Sequence, residues 1–266
     1  MRRAAAAVVV AVVLLPLAAQ AGRSCEEHKP TTASVMRGLA LAQKTSDALD
    51  ATGADVVVLA RAGQDLTRYG LKYSHLGFAY RAPQPGGGTA WRIVHKLNQC
   101  GTSYADIYRQ GLGEFFLDDP WRYEAAWVVP SREVQAKLLP VLQDNARVTV
   151  VDHRRYSIVS YAWSQRYQQS NQWALETLAT AMAPEVGSSR AKAQSWLAFK
   201  GYQPTVLTIG PLTRLGGRMT KANVAFDDHP DEKRFADRIE TVTVDSVFEW
   251  LARGGYASGV GTAVVD

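Results

Sequence analysis

Long apolar runs are absent after residue 21, and with them any second candidate for a membrane span. Cysteine is nearly absent: Cys25 and Cys100 are the whole complement of 266 residues, and neither stands in a Cys-x-x-Cys pair. The five histidines form no ligand cluster, so the sequence points to no metal and no cofactor. Neither sign of charge is in large excess. Thirty Lys and Arg against 25 Asp and Glu leave a formal +5 with no long basic run, which argues against nucleic acid as a partner. Internal repeats and low-complexity blocks are missing too, so solenoid and disordered classes drop out.

What is present begins with a leader. Arg2 and Arg3 precede an apolar run from Ala4 to Ala19, broken only by Pro16, and Ala19-Gln20-Ala21 follows as a small-x-small cleavage site. Residues 1–21 are therefore expected to be a cleavable secretory signal peptide, which places the product in the periplasm or outside the cell with no integral span after cleavage. Cys25 falls four residues past the cut, so a lipid-anchored amino terminus is not expected. Loss of the two arginines takes the formal charge from +5 to +3. In an oxidising compartment an even pair of cysteines is most simply a disulfide, Cys25 to Cys100. Cys25 with His28, or Cys100 with His95, as metal ligands or as nucleophile and base, are the other readings.

Hydrophobic spacing predicts a helix from about Thr31 to Asp50 and a short apolar strand, Asp55 to Arg61. Tyr73–Arg81 and Ala90–Leu97 read as a hairpin around the Pro- and Gly-rich turn 83–88, and Tyr123–Val129 as a further strand. Pro130-Ser131 opens a helix to about Gln143. Two more helices are expected at 170–182 and 189–199, then a strand at Val206–Ile209, a Gly-rich turn, a strand at Thr241–Val244 and a helix at Asp245–Arg253. Gly254–Gly261 reads as a mobile tail. The fold class is α+β, a mainly antiparallel sheet flanked by helices, with residues 22–200 as the main domain and 201–266 as a carboxy-terminal extension packed on it.

Ser74-His75-Leu76-Gly77-Phe78 puts His75 on a strand whose same-face neighbours, Gly77 and Ala79, are small enough to leave room above the ring. On the partner strand His95 points the same way, so the two imidazoles are within reach of a hydrogen bond that would fix the His75 tautomer. Ser170 stands at a helix start, where free N–H groups stabilise an anion. Serine there is equally a helix cap with no chemistry, and by spacing alone the cap is favoured. Tyr73, Tyr167, Asn171 and Trp173 are the candidate lining of a substrate groove, alongside Tyr156, Tyr161 and Trp163; core packing accounts for such aromatics equally well. His28, His153 and His229 read as solvated or as turn residues.

The order of strand, SH-hydrophobic-G-hydrophobic strand, hairpin and then Tyr-x-x-nucleophile at a helix start resembles the circularly permuted branch of the papain-like NlpC peptidase superfamily. More narrowly the chain resembles a bacterial exported family, the domain of unknown function numbered 2145. The superfamily likeness spans about Asp55 to Met182. It implies a permuted papain-like architecture with Ser170 as nucleophile, His75 as general base and His95 as the orienting group. It also implies a periplasmic hydrolase or acyltransferase acting on an amide or ester bond, in a cell-wall peptide or a lipid. Serine stands where that superfamily carries cysteine. A hydroxyl must lose its proton during attack, whereas a thiol beside imidazole reaches the thiolate readily. A serine hydrolase and an inactive binding or structural envelope protein on the same fold both follow from the likeness, the latter directly if Asn171 holds the nucleophile position.

Overall fold

The computed structural model describes residues 29–266. The expected leader and Cys25 lie outside the described residues.

Six strands form one antiparallel sheet in the order β4-β3-β2-β1-β5-β8. They are β1 (Val56–Arg61), β2 (His75–Pro83), β3 (Thr89–Asn98), β4 (Ala105–Gly111), β5 (Glu124–Val128) and β8 (Gly261–Val264). β1 is central and buried along all six residues. That is why its sequence, VVVLAR, runs apolar without alternation: both of its faces are covered.

One face carries α1 (Thr32–Ala51) and the short α2 (Leu112–Leu117), packing Leu41 and Leu49 with Phe115 and Phe116 on Val57, Leu59, Ala79 and Ile93. α1 starts at Thr31, whose hydroxyl accepts from the Ser34 N–H, a standard way to satisfy a free helix-end donor. The other face carries α3 (Arg132–Leu142), α5 (Ser170–Met182), α6 (Arg190–Phe199) and α9 (Val244–Arg253) over Val56, Val58, Leu76, Phe78 and Val94. Between α3 and α5 lies the single turn α4 (Asn145–Val148) and a long irregular segment. A two-stranded sheet, β6 (Thr205–Thr208) with β7 (Arg238–Thr241), builds a small third cluster around Leu207, Ile239 and Phe226. α7 (Pro211–Thr220) and the turn α8 (Asp231–Arg234) connect its strands.

The α+β class with a six-stranded antiparallel sheet flanked by helices is thus observed. Four local expectations need correction. β4 and α2 were not foreseen. The Gly-rich stretch expected to be a turn is the helix α7, started by Pro211 at its first position; Gly216 and Gly217 masked it. β7 lies three residues earlier than expected, because Thr241 is its last residue and Thr243 is already the cap of α9. The stretch read as a mobile tail is tied down. Tyr256 O accepts from Ser131 N, Ser258 N donates to Val129 O, and Gly261 begins the edge strand β8.

Candidate functional site

β2 and β3 alternate their side chains between the two layers. Residues 75, 77 and 79 of β2 and 93 and 95 of β3 point toward α1 and α2, whereas 76, 78 and 80 of β2 and 94 and 96 of β3 point toward α5. Two polar systems therefore sit back to back on one hairpin.

The first faces α2. His75 Nε2 lies 2.9 Å from His95 Nδ1, and His95 Nε2 lies 2.7 Å from the Gln110 side-chain oxygen on β4. That oxygen only accepts, so His95 carries its proton on Nε2 and presents a bare Nδ1 to the His75 Nε2–H. The lone pair of the relay is delivered to His75 Nδ1. Gly77 makes the contact geometrically possible: a Cβ there would stand 2.8 Å from the His95 Cβ and 2.9 Å from the Val94 carbonyl oxygen. Phe115 covers both rings, at 5.9 Å from His75 and 5.2 Å from His95 between centroids. Arg61, on β1 directly opposite His75, lays its guanidinium over Phe115 and donates to the Phe115 carbonyl and to Asp118.

Both rings are neutral at pH 7. Burial, with the Arg61 charge second, pushes His75 well below the ordinary imidazole range and His95 down to about 3. His95 is sealed, and His75 keeps only 9% of its surface.

The second system faces α5. Lys96, wholly buried, donates to Asp152 Oδ1 at 2.6 Å, His153 O at 2.7 Å and Gln168 Oε1 at 2.8 Å, which uses all three of its protons. The Gln168 amide passes the chain to Glu176, whose carboxylate also accepts from Arg190 Nε at 2.8 Å and Gln194 Nε2 at 2.6 Å. Arg190 in turn donates to the carbonyls of Ser164, Gln165 and Tyr167. This buried chain of hydrogen bonds holds the irregular segment before α5 in place.

Ser170 is the first residue of α5, and it is on this second side of the sheet. Gln169, not Ser170, is the cap, its side-chain oxygen accepting from Asn171 N at 3.1 Å. The buried Ser170 side chain pairs with the Tyr156 phenol, and the only side-chain hydrogen bond of His75 among the described residues is the one to His95. The helix start does reach the SH motif, through a different residue. Asn171 Oδ1 accepts from Leu76 N at 3.0 Å and its Nδ2 donates to Ser74 O at 3.3 Å and Val242 O at 3.4 Å, clamping the backbone on both sides of His75.

The structure thus pairs His75 with His95, while Ser170 pairs with Tyr156 and shares no hydrogen bond with either histidine among the described residues. The expected groove residues disperse as well. Trp173 is fully buried against Phe78 with its indole N–H on Val148 O, and Tyr73 belongs to the same core. Tyr167 is buried, with the Arg155 and Arg166 guanidinia near its ring at 5.7 and 5.5 Å from the centroid. Asn171 is buried and fully engaged, as described. His229, read as a turn residue, is buried beside Asp228, its Nδ1 3.0 Å from that carboxylate. Among the described residues no group of three His, Cys, Asp or Glu is arranged to hold a metal. No described helix is long and apolar enough to cross a membrane. An open cleft of about 340 Å³ lies between β3, β4 and α4, where Arg109 reaches Asn145 at 3.0 Å. Sequence reasoning missed Gln110, Lys96, Gln168, Glu176 and Arg190. The available signal was Lys and Glu standing inside otherwise apolar strand and helix patterns.

Fold and site together define a class: an α+β domain whose antiparallel sheet carries a buried imidazole relay on one face and a buried ionic network on the other. The family described as "Uncharacterized protein conserved in bacteria (DUF2145)" matches residues 48–251, and the chain belongs to that family. No curated protein and no solved structure matches it.

Proposed function

We propose that the chain is an exported envelope protein with a binding or structural role, on a scaffold similar to the permuted papain-like NlpC peptidases, and that it does not use Ser170 as a nucleophile. One observation supports this reading: the residue at the helix start that meets the SH motif is the amide Asn171, while the Ser170 side chain pairs with the Tyr156 phenol. A side-chain amide offers no hydroxyl or thiol for a base to activate, and general-base help needs the proton within about 3 Å or one water of the base. The ligands that fit an envelope location are a cell-wall peptide or a lipid. The leader supports a periplasmic or secreted location, and that location supports a Cys25–Cys100 disulfide.

A hydrolase or acyltransferase is the second reading, and one observation favours it. The Gln110–His95–His75 relay leaves an unprotonated Nδ1 on the one ring that retains some exposure, which is how a general base is prepared. A fluorophosphonate probe separates the two. No labelling of the wild-type protein is expected, and Ser170→Cys is expected to react with iodoacetamide no faster when His75 is present than in the His75→Ala background. Labelling that disappears in both Ser170→Ala and His75→Ala would overturn the binding reading and restore the triad.

A further inference from the structure

α7 is turned inside out relative to an ordinary surface helix. Leu212, Leu215 and Met219 are 84%, 56% and 78% exposed, although helical surfaces normally direct such residues inward. At 100° per residue they fall within an arc of about 60° on one side of the helix. The opposite side, Arg214 and Gly217, faces the body: Gly217 is buried, and Arg214 is held by Ile209 O and the Asp237 carboxylate. Arg218 flanks the apolar arc and is exposed, and Lys221 follows at the helix end. Neither has an ion pair among the described residues, and α7 contains no acidic residue. In the adjoining turn Phe235, two residues from the Asp237 anchor, is 72% exposed.

We infer that α7 is a membrane-surface docking element that lies in the headgroup layer of an anionic lipid bilayer. The occupant is chosen by charge. A second copy of this chain would bring the same unpaired cations face to face, whereas an anionic headgroup layer meets Arg218 and Lys221 with opposite charge while the acyl boundary takes the three apolar side chains. Ten residues carrying two arginines cannot span a bilayer, so the helix lies on it. The inference goes beyond the function proposed above and stands whatever the His75 face does.

Hydrogen exchange of the full chain tests it, with vesicles of phosphatidylglycerol and phosphatidylethanolamine against vesicles of phosphatidylcholine. Exchange within residues 211–221 is expected to slow about tenfold or more with the anionic vesicles only. Neutral vesicles set the baseline for anchoring through the apolar leader. The protection should vanish at about 0.5 M salt, where the screening length falls to about 4 Å. It should vanish as well in Leu212→Gln/Leu215→Gln/Met219→Gln and weaken in Arg218→Glu/Lys221→Glu, with exchange in α5 unchanged as the measure of an intact fold. Equal exchange on both vesicle types overturns the inference. So does protection that appears without lipid and rises with protein concentration, which would assign the face to a second copy.

Discussion

Among single residues, Gly77 and Gln110 decide what the histidine pair is. Gly77 removes the side chain that would collide with the His95 Cβ, and Gln110, as an obligate acceptor at its oxygen, sets the tautomer of two rings in series. Burial holds both rings neutral in the folded chain, while the unfolded chain takes protons near pH 6.5. Below 6.5 the unfolded state therefore binds more protons than the folded one, so stability falls as pH falls, for His95 down to about 3 and for His75 in the same direction, by up to about 1.4 kcal/mol per pH unit for each ring. Above 6.5 the pair contributes no slope. Urea unfolding at pH 7.5, 6 and 5 should show this loss, and the His75→Gln/His95→Gln variant should show a shallower one. Equal slopes in the two proteins would contradict neutral burial. The sequence displayed both histidines and the small residues beside His75. It did not display Gln110 as their partner, because nothing in β4 marks it as a strand.

At the scale of elements, α5 is held less by its own propensity than by what its polar residues find inside. Glu176 is fully buried, and desolvation pushes its carboxyl pKa upward; the Arg190 guanidinium opposes that shift and, with Gln194 and Gln168, occupies the carboxylate oxygens. Arg190→Met leaves a carboxylate buried without its cation and is expected to cost about 3–5 kcal/mol. Adding Glu176→Gln to it should recover part of that loss, since no charge then remains inside. Denaturant midpoints of the wild type, the single and the double variant check both statements; a double variant no more stable than the single one would refute the ionic account. Helical spacing made α5 and α6 legible from the sequence. The partners of Glu176 were not legible, since Gln168 lies eight positions away and links it to Lys96, 80 positions away, only when the segment before α5 folds back over β3. α7 shows the converse failure. Its apolar residues have helical spacing, yet two adjacent glycines gave the stronger local signal, that of a turn.

For the whole molecule, the carboxy-terminal residues are part of the main fold as well as of an addition to it. Trp250 and Leu251 are buried in the α5 core, and β8 completes the sheet beside β5. The amino-terminal end is where the export proposal can be read directly. Intact mass of the protein recovered from the envelope should correspond to residues 22–266 less two protons, with neither cysteine alkylated by iodoacetamide until reductant is added. Closing a loop between positions 25 and 100 stabilises by about 4 kcal/mol in the chain-entropy model, so reductant should also lower the unfolding midpoint. A mass that retains the leader, or alkylation without reductant, would refute the proposal.

Local pattern by itself determined the α+β class, the central apolar strand, the hairpin with its two histidines and the major helices, because period, turn chemistry and caps act over a few residues and are written in order along the chain. Only the tertiary structure decided which side of the sheet each polar group occupies. A strand sends neighbouring side chains to opposite layers, so His95 and Lys96, adjacent in sequence, belong to different interiors. Whether a hydroxyl ninety-five positions after His75 lies over the ring or under the sheet depends on where the intervening chain crosses, and no spacing encodes that.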